Sequence, residues 1–378
     1  MKFVNLLIKP ASSLCNMRCK YCFYEDEAQN RSQYSMGVMK EDLAEMLIRQ
    51  TFEAVDPDGC VSFAFQGGEP TVAGLAFFQN FVKEAKRRKP PGVSIRYAIQ
   101  TNGTLLDEAW AKFLKEERFL VGISLDGFRS AHDTYRVDSL GQGTWQRAVA
   151  GKNLLEKYAV EYNALCVVTG KCAENPEKVY GSLKNLGFRY MQFIACLDPI
   201  GKKRGQEPWS LTPDAYGKFL CRMFDLWYQD WKTGDYRSVR LFEDYVHILL
   251  GDNASTCATC GKCGVYLVVE ADGSVYPCDF FALDDWCMGN IRHSTLAEIS
   301  RNQKAVDFRA LETGKPAECR SCPYGQICNG GCKNDWFADA DGSHNYYCDS
   351  FKQLLEYALP RIQQIARLER MAREPRRY

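Results

Sequence analysis

Residues 15–24 read CNMRCKYCFY, placing Cys15, Cys19 and Cys22 at C-x3-C-x2-C spacing with Phe23 and Tyr24 directly behind. A tetrahedral zinc, or an iron–sulfur cluster held wholly by protein, takes four thiolates. Histidine does not complete the set locally: the chain has 4 histidines and the nearest to the trio is His132. Three sulfurs packed this tightly point either to a missing partner elsewhere in the chain or to a metal group that keeps one position open.

Working outward, the trio lies just past FVNLLI (3–8), the first of six β-rich runs. The others are VSFAF (61–65), IRYAI (95–99), FLVGISL (119–125), ALCVV (164–168) and YMQFI (190–194). Amphipathic helical stretches separate them. In 40–55, Leu43, Leu47, Ile48, Phe52 and Val55 keep to one stripe. In 105–115, Leu106, Trp110, Phe113 and Leu114 do the same, with Asp107 placed to cap. Strand–helix repetition implies a parallel sheet with right-handed crossovers. The units are too few for a closed eight-stranded barrel, so the expected fold is α/β, a partial (β/α)6 TIM-like barrel. Polar punctuation follows the strands: QGGEP (66–70) the second, QTNG (100–103) the third, SLDG (124–127) the fourth. Such barrels build active sites at these C-terminal strand ends.

The second half has another character. Residues 198–212 read as a loop and 213–250 as one or two aromatic-rich helices. From 257 to 348 cysteines and glycines crowd among short elements, including a hairpin over 266–277 turning at Asp272–Gly273. The pattern runs Cys263-x9-Gly273-x4-Cys278, then Cys319-x2-Cys322-x5-Cys328-x3-Cys332, then Cys348; Cys257 completes eight, two sets of four. Seen alone, this half suits zinc ribbons as well as iron–sulfur clusters. The expected organisation is a barrel over 1–235, a helical connector over 236–256, a cysteine-rich domain over 257–350 held by metal rather than a large core, and a C-terminal helix over 351–378.

A chain with 18 cysteines and no apparent secretion signal suggests a reducing cytoplasm with thiolates used for metal or chemistry. No apolar run reaches the roughly 20 residues that span a bilayer. The net charge of +1 offers no global field for nucleic acid. The basic tail, with Arg361, Arg367, Arg370, Arg373, Arg376 and Arg377, reads as a solvated helix face.

Cys15, Cys19 and Cys22 with Phe23 and Tyr24, and GGEP at 67–70, resemble the radical S-adenosylmethionine superfamily; the eight-cysteine region resembles its SPASM extension, an iron–sulfur domain. The strings LLIKPASS (6–13), SFAFQGGEPT (62–71), QTNGTL (100–105), FLVG (119–122), LCVVT (165–169) and DGSVYPCDF (272–280) are similar to the anaerobic sulfatase-maturating enzymes. That resemblance implies three 4Fe–4S clusters, reductive cleavage of S-adenosylmethionine to a 5′-deoxyadenosyl radical, and hydrogen abstraction from Cβ of a cysteine or serine in a sulfatase polypeptide. The implied product is Cα-formylglycine, and the implied electron donor is of flavodoxin or ferredoxin type.

Carried residue by residue, the resemblance implies that Cys15, Cys19 and Cys22 hold the radical cluster. Cys257, Cys263, Cys278 and Cys332 hold a first auxiliary cluster; Cys319, Cys322, Cys328 and Cys348 hold a second. Asp279 matches the proton acceptor, and a carboxylate desolvated beside clusters and peptide becomes more basic. Tyr21, Gly67, Gly68, Glu69, Ser124, Arg136 and Leu197 fall on cofactor-binding positions, and Tyr24 and Gln66 on the substrate pocket. Several have a plainer rival: a loop carboxylate for Asp279, a turn for the glycines, core for Ser124, a surface charge for Arg136, packing for Tyr24 and Gln66. Cys60, Cys166 and Cys196 read as small buried hydrophobes. Cys260, between Cys257 and Cys263, competes with Cys257 as a ligand.

Two other functions compete: a maturase forming thioether or carbon–carbon crosslinks or epimers in a ribosomal peptide, and a zinc-bound scaffold or nucleic-acid binder. The open-position trio and the neutral charge oppose the last.

Overall fold

The six β-rich runs become β1 (Phe3–Ile8), β2 (Cys60–Phe65), β3 (Ser94–Thr101), β4 (Phe119–Ser124), β5 (Glu161–Val168) and β6 (Tyr190–Ala195), each parallel to the next. The computed structural model describes residues 1–310, 315–339 and 342–373. Burial alternates along these strands because one face meets helices and the other lines an open lumen. In β2, Val61, Phe63 and Phe65 are fully buried while Ser62 and Ala64 are half-buried. Phe63 meets Phe81 at 5.1 Å and Phe65 meets Phe78 at 4.9 Å, both rings coming from the helix Leu75–Arg88. Each such ring, fully buried, stabilises by about 1.5–3 kcal/mol. β5 begins three residues before the apolar run because Glu161, Tyr162 and Asn163 pair with Leu120, Val121 and Gly122 of β4. The helix Glu108–Glu116 starts where Asp107 accepts from the Trp110 N–H at 2.9 Å, as the capping pattern requires.

The stretch 213–250 forms two helices, Pro213–Thr233 and Arg240–Leu250. Gly234, left-handed at φ +78°, ends the first, and the two-residue β7 (Ser238–Val239) extends the sheet beyond β6. The anticipated hairpin is present as β8 (Leu267–Val269) and β9 (Ser274–Tyr276), turning through Gly273 at φ +92°.

The hairpin is not an isolated unit. β8 pairs in parallel with β1, Leu6 opposite Leu267 and Ile8 opposite Val269, and β10 (Gly289–Asn290) closes the far edge. The sheet therefore has ten strands in the order β10-β9-β8-β1-β2-β3-β4-β5-β6-β7. An uncovered β1 would leave a row of unpaired backbone groups, and the C-terminal region supplies the missing strand. Val269, Val275, Ile291 and Leu296 join the same apolar core as the barrel, so this region is not held by metal alone.

The helix Cys348–Arg373 lies along Pro213–Thr233, burying Leu354, Leu355, Ala358, Ile362 and Ile365. Among its basic residues Arg367 is exposed, whereas Arg361 pairs with Asp225 at 2.7 Å and covers the Phe224 ring, and Arg373 pairs with Asp252 at 2.7 Å. Arg376 and Arg377 lie outside the described residues. Among the described residues no helix is long and apolar enough to cross a membrane.

Candidate active site and cluster cavities

The trio occupies the loop between β1 and the short helix Phe23–Gln29, at the C-terminal mouth of the sheet. Cys15 Sγ accepts from the Met17 N–H at 3.3 Å, and Cys22 Sγ caps the helix by accepting from the Glu25 N–H at 3.5 Å. Burial pushes the Cys15 and Cys19 thiols up to about 12 and raises Cys22 as well. Metal bound here must displace those protons, which couples loading of the loop to proton release.

Around the loop stand the expected cofactor positions. Gly68 packs so closely on the loop that a Cβ would lie 2.3 Å from the Leu14 carbonyl oxygen, and its N–H donates to the Ser12 carbonyl at 2.8 Å. Gly67 needs its φ of +137°. The glycines thus seat the cysteine loop against the end of β2. Glu69 is buried; Oε1 accepts from the Thr71 N–H (3.1 Å), the Thr71 hydroxyl (2.6 Å) and the Thr101 hydroxyl (2.7 Å), and Oε2 from the Asn102 N–H (2.7 Å). Oε2 keeps a lone pair for an ammonium. Ser124 Oγ accepts from Gln100 at 3.0 Å on the lumen face, and Leu197 is half-buried beyond β6. Arg136 is buried rather than a surface charge, with Nε donating to Asp126 Oδ2 at 2.9 Å. Tyr21 donates its hydroxyl to the same oxygen.

Asp279 opens a short turn after β9, buried at 5% exposure. Oδ1 is ion-paired with the fully buried Lys9, and Oδ2 accepts from Gln66 Nε2 at 2.7 Å. The two partners come from the ends of β1 and β2, so the carboxylate sits at the strand mouth beside the trio's loop. Tyr24 forms a wall of this site: its ring lies 3.6 Å under the Lys9 ammonium and its hydroxyl bonds Glu270. Arg31 completes the set, pairing with Glu270 at 2.7 Å with both side chains fully buried.

The eight C-terminal cysteines sort into two cavities. One is lined by Cys257, Cys263, Cys278 and Cys332, the other by Cys319, Cys322, Cys328 and Cys348. Cys260 lines neither; its thiol donates to the Ala254 carbonyl at 2.9 Å. Among the described residues no three Cys, His, Asp or Glu side chains converge closely enough for a single ion. Four thiolates around one cavity make the full ligand set that a 4Fe–4S cluster takes.

Two family models match the chain. The radical SAM superfamily model matches residues 10–182, and an iron–sulfur cluster-binding domain, SPASM, matches 257–323. The cysteine-type anaerobic sulfatase-maturating enzyme of Clostridium perfringens (strain 13 / Type A) is 42% identical over 365 residues, covering 96% of this chain and 98% of that protein. The serine-type enzyme of Bacteroides thetaiotaomicron is 30% identical, covering 94% and 89%. The chain belongs to the anaerobic sulfatase-maturating enzymes. Native anSMEcpe, solved with bound AdoMet and Cp18Cys peptide, superposes with a TM-score of 0.91 at 41% identity, covering 97% of this chain and 99% of that one. Streptococcus suis SuiB, at 16% identity and a TM-score of 0.59, shares the fold.

Within this sulfatase-maturating framework, several residues escaped the motif reading. Lys9 sits in the matched string LLIKPASS, but a lone lysine after a strand carries no signal of a partner 270 positions away. Asp126 lies in SLDG, where its turn role hides a hub: besides Tyr21 and Arg136, it accepts from the Val167 N–H at 3.0 Å. Glu270 and Arg31 resemble ordinary surface charges in sequence. Glu27 is the most unexpected, buried at 2% exposure with neither carboxyl oxygen hydrogen-bonded. The Ala282 amide faces it without closing a bond, and burial, then Asp279, raise its pKa well above the usual range against the pull of Lys9 and Arg31. Cys60, expected buried, is half-buried because it begins β2 on the lumen side; Cys166 and Cys196 are buried as expected.

Proposed function

We propose that this chain oxidises a cysteine or serine of a sulfatase polypeptide to Cα-formylglycine under anaerobic conditions, using S-adenosylmethionine and three 4Fe–4S clusters. The observation that carries the reading is the convergence, at one strand mouth, of an open-position cysteine trio and a cradled carboxylate whose chain neighbour, Cys278, lines a four-cysteine cavity. Bound at the trio, the cluster with S-adenosylmethionine supplies the one-electron chemistry that removes hydrogen from the substrate Cβ.

The chain's own residues handle charge and position. Asp279 accepts the thiol or hydroxyl proton, for which each carboxylate oxygen keeps a lone pair after its bond to Lys9 or Gln66. Lys9 and Gln66 fix the carboxylate plane, and Tyr24 backs Lys9 through its ring face. Cys257, Cys263, Cys278 and Cys332, with Cys319, Cys322, Cys328 and Cys348, hold the groups that carry off the second electron. Cys15, Cys19 and Cys22 hold the first. Glu69 binds the cofactor's ammonium, while Tyr21, Gly67, Gly68, Ser124, Arg136 and Leu197 shape its site. The electron donor is of flavodoxin or ferredoxin type, and the enzyme works in the cytoplasm. The higher identity to cysteine-type relatives makes a cysteine peptide the first substrate to try.

The test is incubation of anaerobically purified protein with S-adenosylmethionine, dithionite and a sulfatase-motif peptide. The expected products are 5′-deoxyadenosine and an aldehyde that traps with a hydrazine. Cofactor cleavage giving a crosslinked or epimerised peptide and no aldehyde would overturn the assignment in favour of the ribosomal-peptide maturase.

A further inference from the structure

The cysteine loop and the segment after the helix Arg129–Tyr135 run side by side as a short antiparallel ladder. The Arg18 N–H donates to the Val137 carbonyl at 2.7 Å, the Lys20 N–H donates to the Tyr135 carbonyl at 2.9 Å, and Met17 bridges to Asp138. With 18 facing 137 and 20 facing 135, Cys19 lies directly across from Arg136. Side chains opposite one another in such a pair stand about 5 Å apart at Cβ.

Arg136 cannot drift from that position. It is 7% exposed, its guanidinium lies 5.4 Å from the Tyr21 ring centre, and its Nε is anchored on Asp126 Oδ2. Asp126 is itself pinned by the Val167 N–H and the Tyr21 hydroxyl. The loop thus faces a fixed guanidinium.

We propose that Arg136, clamped by Asp126 opposite Cys19, sets the reduction potential of the open-position cluster by making it easier to reduce. The inference rests on the reading of the trio as a 4Fe–4S site. Reduction brings one electron from the flavodoxin- or ferredoxin-type donor and adds one negative charge to the cluster. A fixed cation beside a coordinating sulfur stabilises that charge, and burial weakens solvent screening. A unit charge about 6 Å away at an effective dielectric near 20 is worth roughly a hundredfold in the reduced-to-oxidised ratio. Arg136 is a positioning residue here: it changes the driving force without touching the hydrogen that moves.

The experiment is an EPR-monitored redox titration of the holoprotein without S-adenosylmethionine. The combined Cys15→Ala, Cys19→Ala and Cys22→Ala variant is the baseline that isolates the radical cluster. Arg136→Gln leaves Asp126 in place and loses the whole effect of the cation, so it should lower the reduced-to-oxidised ratio about a hundredfold at fixed potential, equivalent to about 120 mV for one electron at about 59 mV per tenfold. Arg136→Lys should restore most of the shift, and Asp126→Asn should move the midpoint the opposite way, because it removes the opposing negative charge. Full iron in Arg136→Gln with an unmoved midpoint overturns the proposal, as do equal shifts in the Gln and Lys variants. If Arg136→Gln does not load its first cluster, Asp126→Asn decides: a positive shift supports the proposal, and a null or negative shift overturns it. A baseline variant holding as much iron as the wild type would instead sink the reading of the trio, a distinct failure.

Discussion

Cys260→Ala and Cys257→Ala, three residues apart, should give opposite results. Cys257 lines the cavity with Cys263, Cys278 and Cys332, whereas Cys260 turns its thiol to the Ala254 carbonyl at 2.9 Å. A thiol turned to a backbone carbonyl points away from the cavity that a ligand must line. Wild-type protein should hold about twelve irons, four per cluster. Cys260→Ala should keep about twelve and lose only one neutral hydrogen bond, about 0.5–1.5 kcal/mol, read as a small fall in the urea midpoint. Cys257→Ala leaves three sulfurs where four are needed and should fall to about eight. The assay is iron and sulfide per chain after anaerobic purification, with denaturant unfolding alongside. Full iron in Cys257→Ala with a four-iron loss in Cys260→Ala would refute the geometric argument.

Other expectations follow from the same site. Asp279→Asn should keep all iron and S-adenosylmethionine binding but lose most aldehyde formation, since an amide accepts no substrate proton; unimpaired turnover would remove Asp279 from its role. Gly68→Ala should cost most S-adenosylmethionine binding in equilibrium dialysis, because the new Cβ would sit 2.3 Å from the Leu14 carbonyl oxygen and push the cysteine loop off β2. Glu27→Gln should stabilise, and the gain should grow with pH. The native carboxyl is held protonated by burial, whereas the unfolded one ionises above about 4.5, so rising pH favours the unfolded wild type. The difference between urea unfolding at about pH 6 and about pH 8 should grow by up to about 1.4 kcal/mol per pH unit while the native group stays protonated. A gain independent of pH would show that Glu27 is ionised in the fold.

Much of this molecule is legible along the chain. Apolar runs of period two alternating with helical stripes fix six parallel strands, because side-chain direction repeats with the backbone and needs no distant partner. The cysteine trio, QGGEP and SLDG announce themselves at strand ends, since punctuation and strand are adjacent in sequence. Asp107 as a cap and Asp272–Gly273 as a turn were equally local, and the structure has both.

What the chain could not state alone is which distant pieces meet. Spacing offers eight C-terminal cysteines; only the resemblance divided them, and only folding sends Cys332 to one cavity and Cys328, four positions earlier, to the other. The pairing of Lys9 with Asp279 depends on β8 adding to the free edge of β1, an event between segments some 270 residues apart. The facing of Cys19 and Arg136 depends on a loop-to-loop ladder with no period to reveal it. Local pattern determines what each segment is. Edge pairing and burial then decide which charges become neighbours, and so convert CNMRCKYCFY from a three-sulfur motif into a loop with a cation beside it and a cradled carboxylate at the same strand mouth.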